Sequence, residues 1–146
     1  MNISQLTQNI ELVASRGDLE TVVDGIQYDS RKVKAGDIFA ALRGEKEDGH
    51  RYIRQAVESG ASAILAEEPP NDDTDLPWLQ VREARRAMGE IAALLHGEPS
   101  AKMKLAGVTG TNGKTTTAFL IQYLMNAAHR RCGMVGTVYY DDGVEQ

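Results

Sequence analysis

Residues Gly107-Val108-Thr109-Gly110-Thr111-Asn112-Gly113-Lys114-Thr115-Thr116 decide how this 146-residue chain is read. They lie between an apolar run, Leu105-Ala106-Gly107-Val108, and a largely apolar segment from Thr115 to about Ala128. The first predicts a strand and the second a helix. Glycines at 110 and 113 allow tight turns and bring backbone N–H groups close to a ligand oxygen with no Cβ in the way. A helix starting near Lys114 adds unpaired N–H groups and the positive end of its dipole. That combination suits a phosphate. Lys114 is then placed to neutralise β- and γ-phosphates, which makes it the candidate catalytic residue, and the Thr115 hydroxyl to ligate Mg²⁺. The common P-loop spacing puts its first glycine where Val108 stands here, and Gly107 lies one residue further back. A glycine-rich turn that binds nothing is the plain alternative, and the strand–loop–helix context speaks against it.

Working outward, the composition is that of an ordinary globular protein: 42% hydrophobic, 25% charged, 14 Gly and 4 Pro. That excludes collagen-like, low-complexity and wholly disordered chains. The formal charge of −5, from 16 Lys+Arg against 21 Asp+Glu, speaks against a general nucleic-acid binder. A local anion site remains compatible with it, because backbone N–H groups can hold phosphate inside an acidic protein. The single cysteine, Cys132, excludes an internal disulfide and reads as a small buried hydrophobe. No apolar run is long enough for a membrane span, and the amino terminus shows neither a basic nor an apolar leader region. The chain reads as cytoplasmic, with no membrane or nucleic-acid partner.

Upstream of the loop, residues 1–16 read as a short helix ending at a Gly17-Asp18 turn, with strand-like stretches at Thr21–Val23 and Ile26–Tyr28. Further strands are predicted at Ile38–Leu42, Ala63–Ala66 and Trp78–Val81. A helix capped by Asp48 carries Tyr52, Ile53, Ala56 and Val57 as one apolar face and stops at Gly60. Another runs from about Glu83 to Leu95, with Ala84, Met88, Ile91 and Leu95 on one side. Glu67–Asp75 reads as a solvated acidic loop. His96-Gly97-Glu98-Pro99-Ser100 marks a boundary, which divides the chain into residues 1–98 and 99–146. Beyond it the pattern restarts as strand, phosphate loop, helix and a strand at Met134–Val138, one β–loop–α–β unit of a parallel sheet. The predicted class is α/β: a small amino-terminal α/β domain followed by the first such unit of a second domain. Two strands do not complete a parallel sheet, so the second domain is expected to be truncated.

The loop Gly110-Thr111-Asn112-Gly113-Lys114-Thr115-Thr116 resembles the ATP loop of the Mur ligases and of the related folylpolyglutamate synthetases. The amino-terminal part separates the two. Tyr28-Asp29-Ser30-Arg31-Lys32-Val33-Lys34-Ala35-Gly36-Asp37-Ile38-Phe39 is similar to the Asp-Ser-Arg…Gly-Asp-hydrophobic-Phe run of the Mur ligase substrate-binding domain. Asp48-Gly49-His50-Arg51-Tyr52-Ile53, then Ala56 and Gly60-Ala61, follow the same family's pattern, nearest to its MurE-type branch. The resemblance runs from about residue 20 to 140.

It implies an ATP-dependent acid–amino-acid ligase of peptidoglycan precursor synthesis. Such an enzyme activates the carboxylate of UDP-N-acetylmuramoyl-L-alanyl-D-glutamate as an acyl phosphate and joins the third amino acid to it. ATP and Mg²⁺ are the implied cofactors, the UDP-muramoyl dipeptide and a free amino acid the implied small-molecule substrates, and a monomer the implied state. Gly110 to Thr116 carry over as the ATP-binding residues, and Ser30 and Tyr28 as contacts to the uridine-diphosphate substrate. Ser30 also reads as a simple turn stabiliser, and Asp29 and Arg31 as a structural pair. Lys46 is a further diphosphate candidate, and Gly136-Thr137 stands at a predicted strand end where ligands bind. His50, His96 and His129 read as structural. At 146 residues the chain is expected to bind without completing ligation. The alternative is a non-catalytic P-loop nucleotide-binding module, against which the Asp29–Phe39 run argues because such a module has no use for it.

Overall fold

Alternation hidden inside apolar runs sets the layering. The computed structural model describes residues 1–44, 47–69 and 74–143. They fall into two compact units, Met1–Met103 and Lys104–Gln146. The first contains β1 (Leu12–Arg16), β2 (Gly25–Gln27), β3 (Asp37–Ala41), β4 (Ala63–Ala66) and β5 (Trp78–Val81). Its helices are α1 (Ile3–Leu6), α2 (Ile53–Glu58) and α3 (Ala84–Leu95). The strands form one sheet in the order β1-β5-β4-β3-β2. Strands β2 to β5 run parallel, and β1 lies antiparallel on β5.

On one face Ile38, Ala40, Ala63, Leu65, Leu79 and Val81 pack with Ile3 and Leu6 of α1 and Ala84, Ala87 and Ile91 of α3. On the other Phe39, Ala41, Ile64, Ala66 and Trp78 pack with Ile53 and Ala56 of α2. A sheet covered on both sides needs apolar residues at every position of its inner strands, so β3 and β4 read as continuous apolar runs. Burying each large side chain here contributes roughly 1.5–3 kcal/mol. An exposed pair such as Arg54–Glu58 contributes only about 0–1 kcal/mol. The two cores therefore hold this unit together, and the surface ion pairs do not.

The α/β class is as the sequence predicts, while the parallel sheet lies in the first unit and not in the second, and several elements differ. The predicted helix over residues 1–16 is only α1, closed by a capping box between Asn2 and Gln5, and Leu12–Arg16 is strand β1. Ladder pairing to β5 overrides a local pattern in which four of the five residues are exposed. Val22 makes only an isolated bridge to Asn2, so Thr21–Val23 is not a strand. The turn after Asp48 is a 3-10 helix, Gly49–Tyr52, that leads into α2. Gly97 (φ 71°) ends α3 as expected, with its N–H donating to Leu94 O at 3.0 Å.

In the second unit α4 spans Lys114–Ala127 and is followed by β6 (Met134–Val135) and β7 (Tyr140–Asp141). β6 pairs antiparallel with β7, so the predicted strand Met134–Val138 is cut short and Gly136-Thr137 lies in a hairpin turn. The predicted strand Leu105–Val108 carries no ladder among the described residues, and Leu105 is exposed. An apolar run alone does not make a strand, because the ladder needs a neighbour's N–H and C=O groups. The pairing available here is local. Two amides of α4 hold the hairpin. Gln122 Nε2 donates to Cys132 O at 3.2 Å and to Asp141 Oδ2 at 2.6 Å. Asn126 Oδ1 accepts from Cys132 N at 3.0 Å. Cys132 is half-buried and not a core residue.

Candidate functional site

In the second unit the glycine-rich turn feeds directly into α4. Gly113 stands at its N-cap with φ 75°, a left-handed conformation that costs a residue with a Cβ roughly 1–2 kcal/mol. A Cβ there would meet no atom within 4 Å, so glycine is required by the backbone angle and not by crowding. No side chain caps the helix. The first N–H groups of a helix have no partner within it, and here they open outward. Gly110, Thr111, Asn112, Gly113, Lys114, Thr115 and Thr116 are all exposed and form one continuous surface. Lys114 Nζ lies over that turn, donating to Gly110 O at 2.6 Å and to Thr111 O at 3.4 Å. Its charge thus sits beside the helix's positive end, where an anion is favoured.

Thr115 stands in the first helical turn, with its side chain exposed. No group of three His, Cys, Asp or Glu side chains that could hold a metal occurs among the described residues. A single hydroxyl suits Mg²⁺, which takes few protein ligands and fills its shell with phosphate oxygens and water.

In the first unit the carboxyl ends of β2 and β3 open into two neighbouring turns, the usual ligand position of a parallel sheet. The turn after β2 carries Tyr28, 63% exposed, and the 3-10 segment Ser30–Lys32. Asp29 caps that segment by accepting from Arg31 N at 3.1 Å. It also accepts from Arg31 Nε and Nη2, each at 2.8 Å. The guanidinium hydrogen bonds hold the Asp29 carboxyl down at about 2, against its ordinary 3.8. Asp29 and Arg31 thus form the pair that the sequence reading anticipated. Ser30 is buried, and its Oγ donates to Gln55 Oε1 of α2 at 2.8 Å.

The turn after β3 is pinned by glycine. Gly49 N donates to Leu42 O at 2.9 Å, and a Cβ on Gly49 would lie 2.7 Å from both Leu42 N and Leu42 O. Asp48 Oδ1 accepts from His50 N at 3.0 Å and lies 2.6 Å from His50 Nδ1. These two hydrogen bonds push the Asp48 carboxyl below its ordinary range. His50 is therefore a turn-holding residue, and its buried Nε2 finds no partner among the described residues. Arg43 bridges to Glu68 at 2.8 Å, and Tyr52 OH donates to Glu47 Oε2 at 3.1 Å. Lys46 lies outside the described residues.

Tyr28 and Ser30 thus share one turn but differ in exposure, and the seven loop residues share one surface. The sequence reading missed Gln55, an exposed helix residue whose neighbours carry no pattern that marks it. A separate cleft of about 340 Å³ between the α1–β1 connection and the start of α3 holds Glu11, Arg82, Glu83, Arg86 and Glu90, and none of the anticipated residues. No helix among the described residues is long and apolar enough to cross a membrane.

Residues 22–96 match the model of the Mur ligase family, catalytic domain. Over 143 residues the chain is 38% identical to UDP-N-acetylmuramoyl-L-alanyl-D-glutamate–2,6-diaminopimelate ligase of Geobacter sulfurreducens, covering 98% of this chain and 28% of that protein. A solved UDP-N-acetylmuramoyl-L-alanyl-D-glutamate–2,6-diaminopimelate ligase superposes with a TM-score of 0.73 at 27% identity, over 96% of this chain and 28% of the other. The MurF ligase from Thermotoga maritima in complex with ADP matches with a TM-score of 0.54 at 31% identity, over 72% of this chain and 24% of that one. The chain spans less than a third of the length of these relatives.

Proposed function

This chain belongs to the Mur ligase family, and from that premise we propose that it serves a MurE-type ATP-dependent ligase of peptidoglycan precursor synthesis. The first unit holds the uridine-diphosphate end of UDP-N-acetylmuramoyl-L-alanyl-D-glutamate at the carboxyl ends of β2 and β3, with Tyr28 and Ser30 in contact. The second unit holds ATP. The amides of Gly110 to Thr116 surround its phosphates, and Lys114 moves from the carbonyls of Gly110 and Thr111 onto the β/γ-phosphates. Thr115 supplies the protein oxygen for Mg²⁺, which when bound neutralises charge on the transferring phosphate. In the full reaction a substrate carboxylate oxygen attacks the γ-phosphorus and ADP departs. The amine of the third amino acid then attacks the acyl phosphate carbon, loses a proton, and expels phosphate as the amide forms.

The observation that carries this reading is the helix start at Gly113–Thr116, uncapped, exposed and overlaid by Lys114, on the same chain as the Asp29-Ser30-Arg31 turn. The 146 residues bind substrates and do not turn over alone, since they span 28% of the diaminopimelate ligase they resemble. The protein acts as a monomer in the cytoplasm. Calorimetric titration with UDP-N-acetylmuramoyl-L-alanyl-D-glutamate, UDP and Mg²⁺·ATP tests the reading. Saturable one-site binding of a uridine ligand and of ATP is expected. A folded chain that binds neither uridine compound refutes the first half, and one that ignores ATP refutes the second.

A further inference from the structure

We propose that Gln55 is the positioning residue for Ser30, so that the two side chains bind the uridine-diphosphate substrate as one unit; this rests on the reading of the first unit given above. A serine hydroxyl has one proton and rotates to suit its partners. Here that proton is directed to Gln55 Oε1 at 2.8 Å, which turns the oxygen's remaining lone pairs away from the helix. Ser30 is 6% exposed, a degree of burial at which a hydroxyl needs a partner. Gln55 is exposed, and its Nε2 has no partner among the described residues.

The contact is built by the fold and not by local sequence. The nine residues linking β2 to β3 cross on the α2 face of the sheet, where Val33 enters the same core as Ile53 and Ala56. That crossing sets the Ser30–Lys32 turn against α2 and brings together residues 25 positions apart. Asp29 and Arg31, on either side of Ser30, are fully engaged with each other, so Gln55 is what orients the hydroxyl between them. Losing this contact frees the Ser30 hydroxyl to rotate, which changes what the substrate meets.

The test uses the 146-residue chain and its Q55M, S30A and S30A/Q55M variants, titrated with UDP-N-acetylmuramoyl-L-alanyl-D-glutamate. Far-UV dichroism and the thermal midpoint are recorded for each. Q55M and S30A are each expected to weaken binding by roughly three- to tenfold, the usual effect of one hydrogen bond. The double variant should be no weaker than S30A within about twofold, because one unit is lost only once. Q55M leaves the buried Ser30 hydroxyl unpaired and should lower the midpoint by several degrees, whereas S30A/Q55M, which removes both partners, should stay nearer the parent. Binding is therefore read well below every midpoint, where a merely structural role for Gln55 would leave affinity unchanged. A second apolar substitution, Q55L, should repeat Q55M and so removes any side effect of the methionine. Binding that S30A weakens and Q55M spares overturns this inference alone, as does a double variant whose losses multiply. A parent chain that binds no uridine ligand overturns the site reading and this inference with it.

Discussion

Replacing Gly49 with alanine should unseat the turn that orders Asp48, His50 and the start of α2. An added Cβ would stand 2.7 Å from Leu42 N and from Leu42 O, and 3.1 Å from Ala41 C. Carbon contacts are comfortable at about 3.5–4.0 Å, so the two backbone segments must part by roughly 0.7 Å or more. All three atoms belong to backbone at the end of β3, and no flexible side chain can yield instead. The Gly49 N to Leu42 O bond, now 2.9 Å, would stretch beyond hydrogen-bonding range. Its loss costs about 0.5–1.5 kcal/mol. Overpacking adds about 1–3 kcal/mol. The combined destabilisation is roughly 2–4 kcal/mol. Trp78 is the chain's only tryptophan and is buried in the first unit, so its fluorescence reports on that unit. With a urea slope of about 2 kcal/mol/M, the unfolding midpoint should fall by about 1–2 M. A G49A midpoint within about 0.2 M of the parent would show that the close approach does not matter, and the reasoning would be wrong.

Three further outcomes are expected. Lys114→Ala should weaken Mg²⁺·ATP binding by roughly ten- to a hundredfold, the range of a charge-assisted bond, with unchanged dichroism because Lys114 is exposed; equal affinity by calorimetry would refute its role. Asp29 should titrate near 2 by NMR, and Arg31→Gln should return it toward 3.8. Because its folded value is depressed, the stabilisation it provides is present above pH 3.8 and lost as pH falls through about 2; R31Q should remove that part of the acid limb, and an Asp29 titration untouched by R31Q would contradict it. Gly89→Ala, in the exposed middle of α3 with no atom within 4 Å of its Cβ, should raise stability by about 0.5–1 kcal/mol in the same urea assay, and a fall would argue against it.

What could be read beforehand follows from how local each signal is. Ala63–Ala66 and Trp78–Val81 are bounded by turn residues and buried on both faces, so a short apolar run was sufficient to mark each strand. α3 was equally plain, since Ala84, Met88, Ile91 and Leu95 recur at helical spacing, although the structure buries Ala87 and leaves Met88 and Leu95 only partly buried. β1 was hidden because four of its five residues face solvent and its structure comes from partners more than sixty positions away. The opposite error arose at Leu105–Val108, where apolarity was taken for pairing. The phosphate-loop candidates were visible because they are contiguous and end in a helix start. The Ser30–Gln55 contact was not, because its two halves meet only when the β2–β3 crossing lies down on α2.

The antiparallel seat of β1 also sets a timetable. Leu12 pairs with Val81 and Arg16 with Trp78, so β1 emerges from a ribosome roughly 60 residues ahead of the strand that receives it. At ~5–20 residues per second that interval is roughly 3–12 s. Until Trp78–Val81 appears, β4 has no β5 beside it, and the sheet can grow only from its β2–β3–β4 side. Of the five strands, the one that precedes the others in the chain is therefore the last that can pair into the sheet.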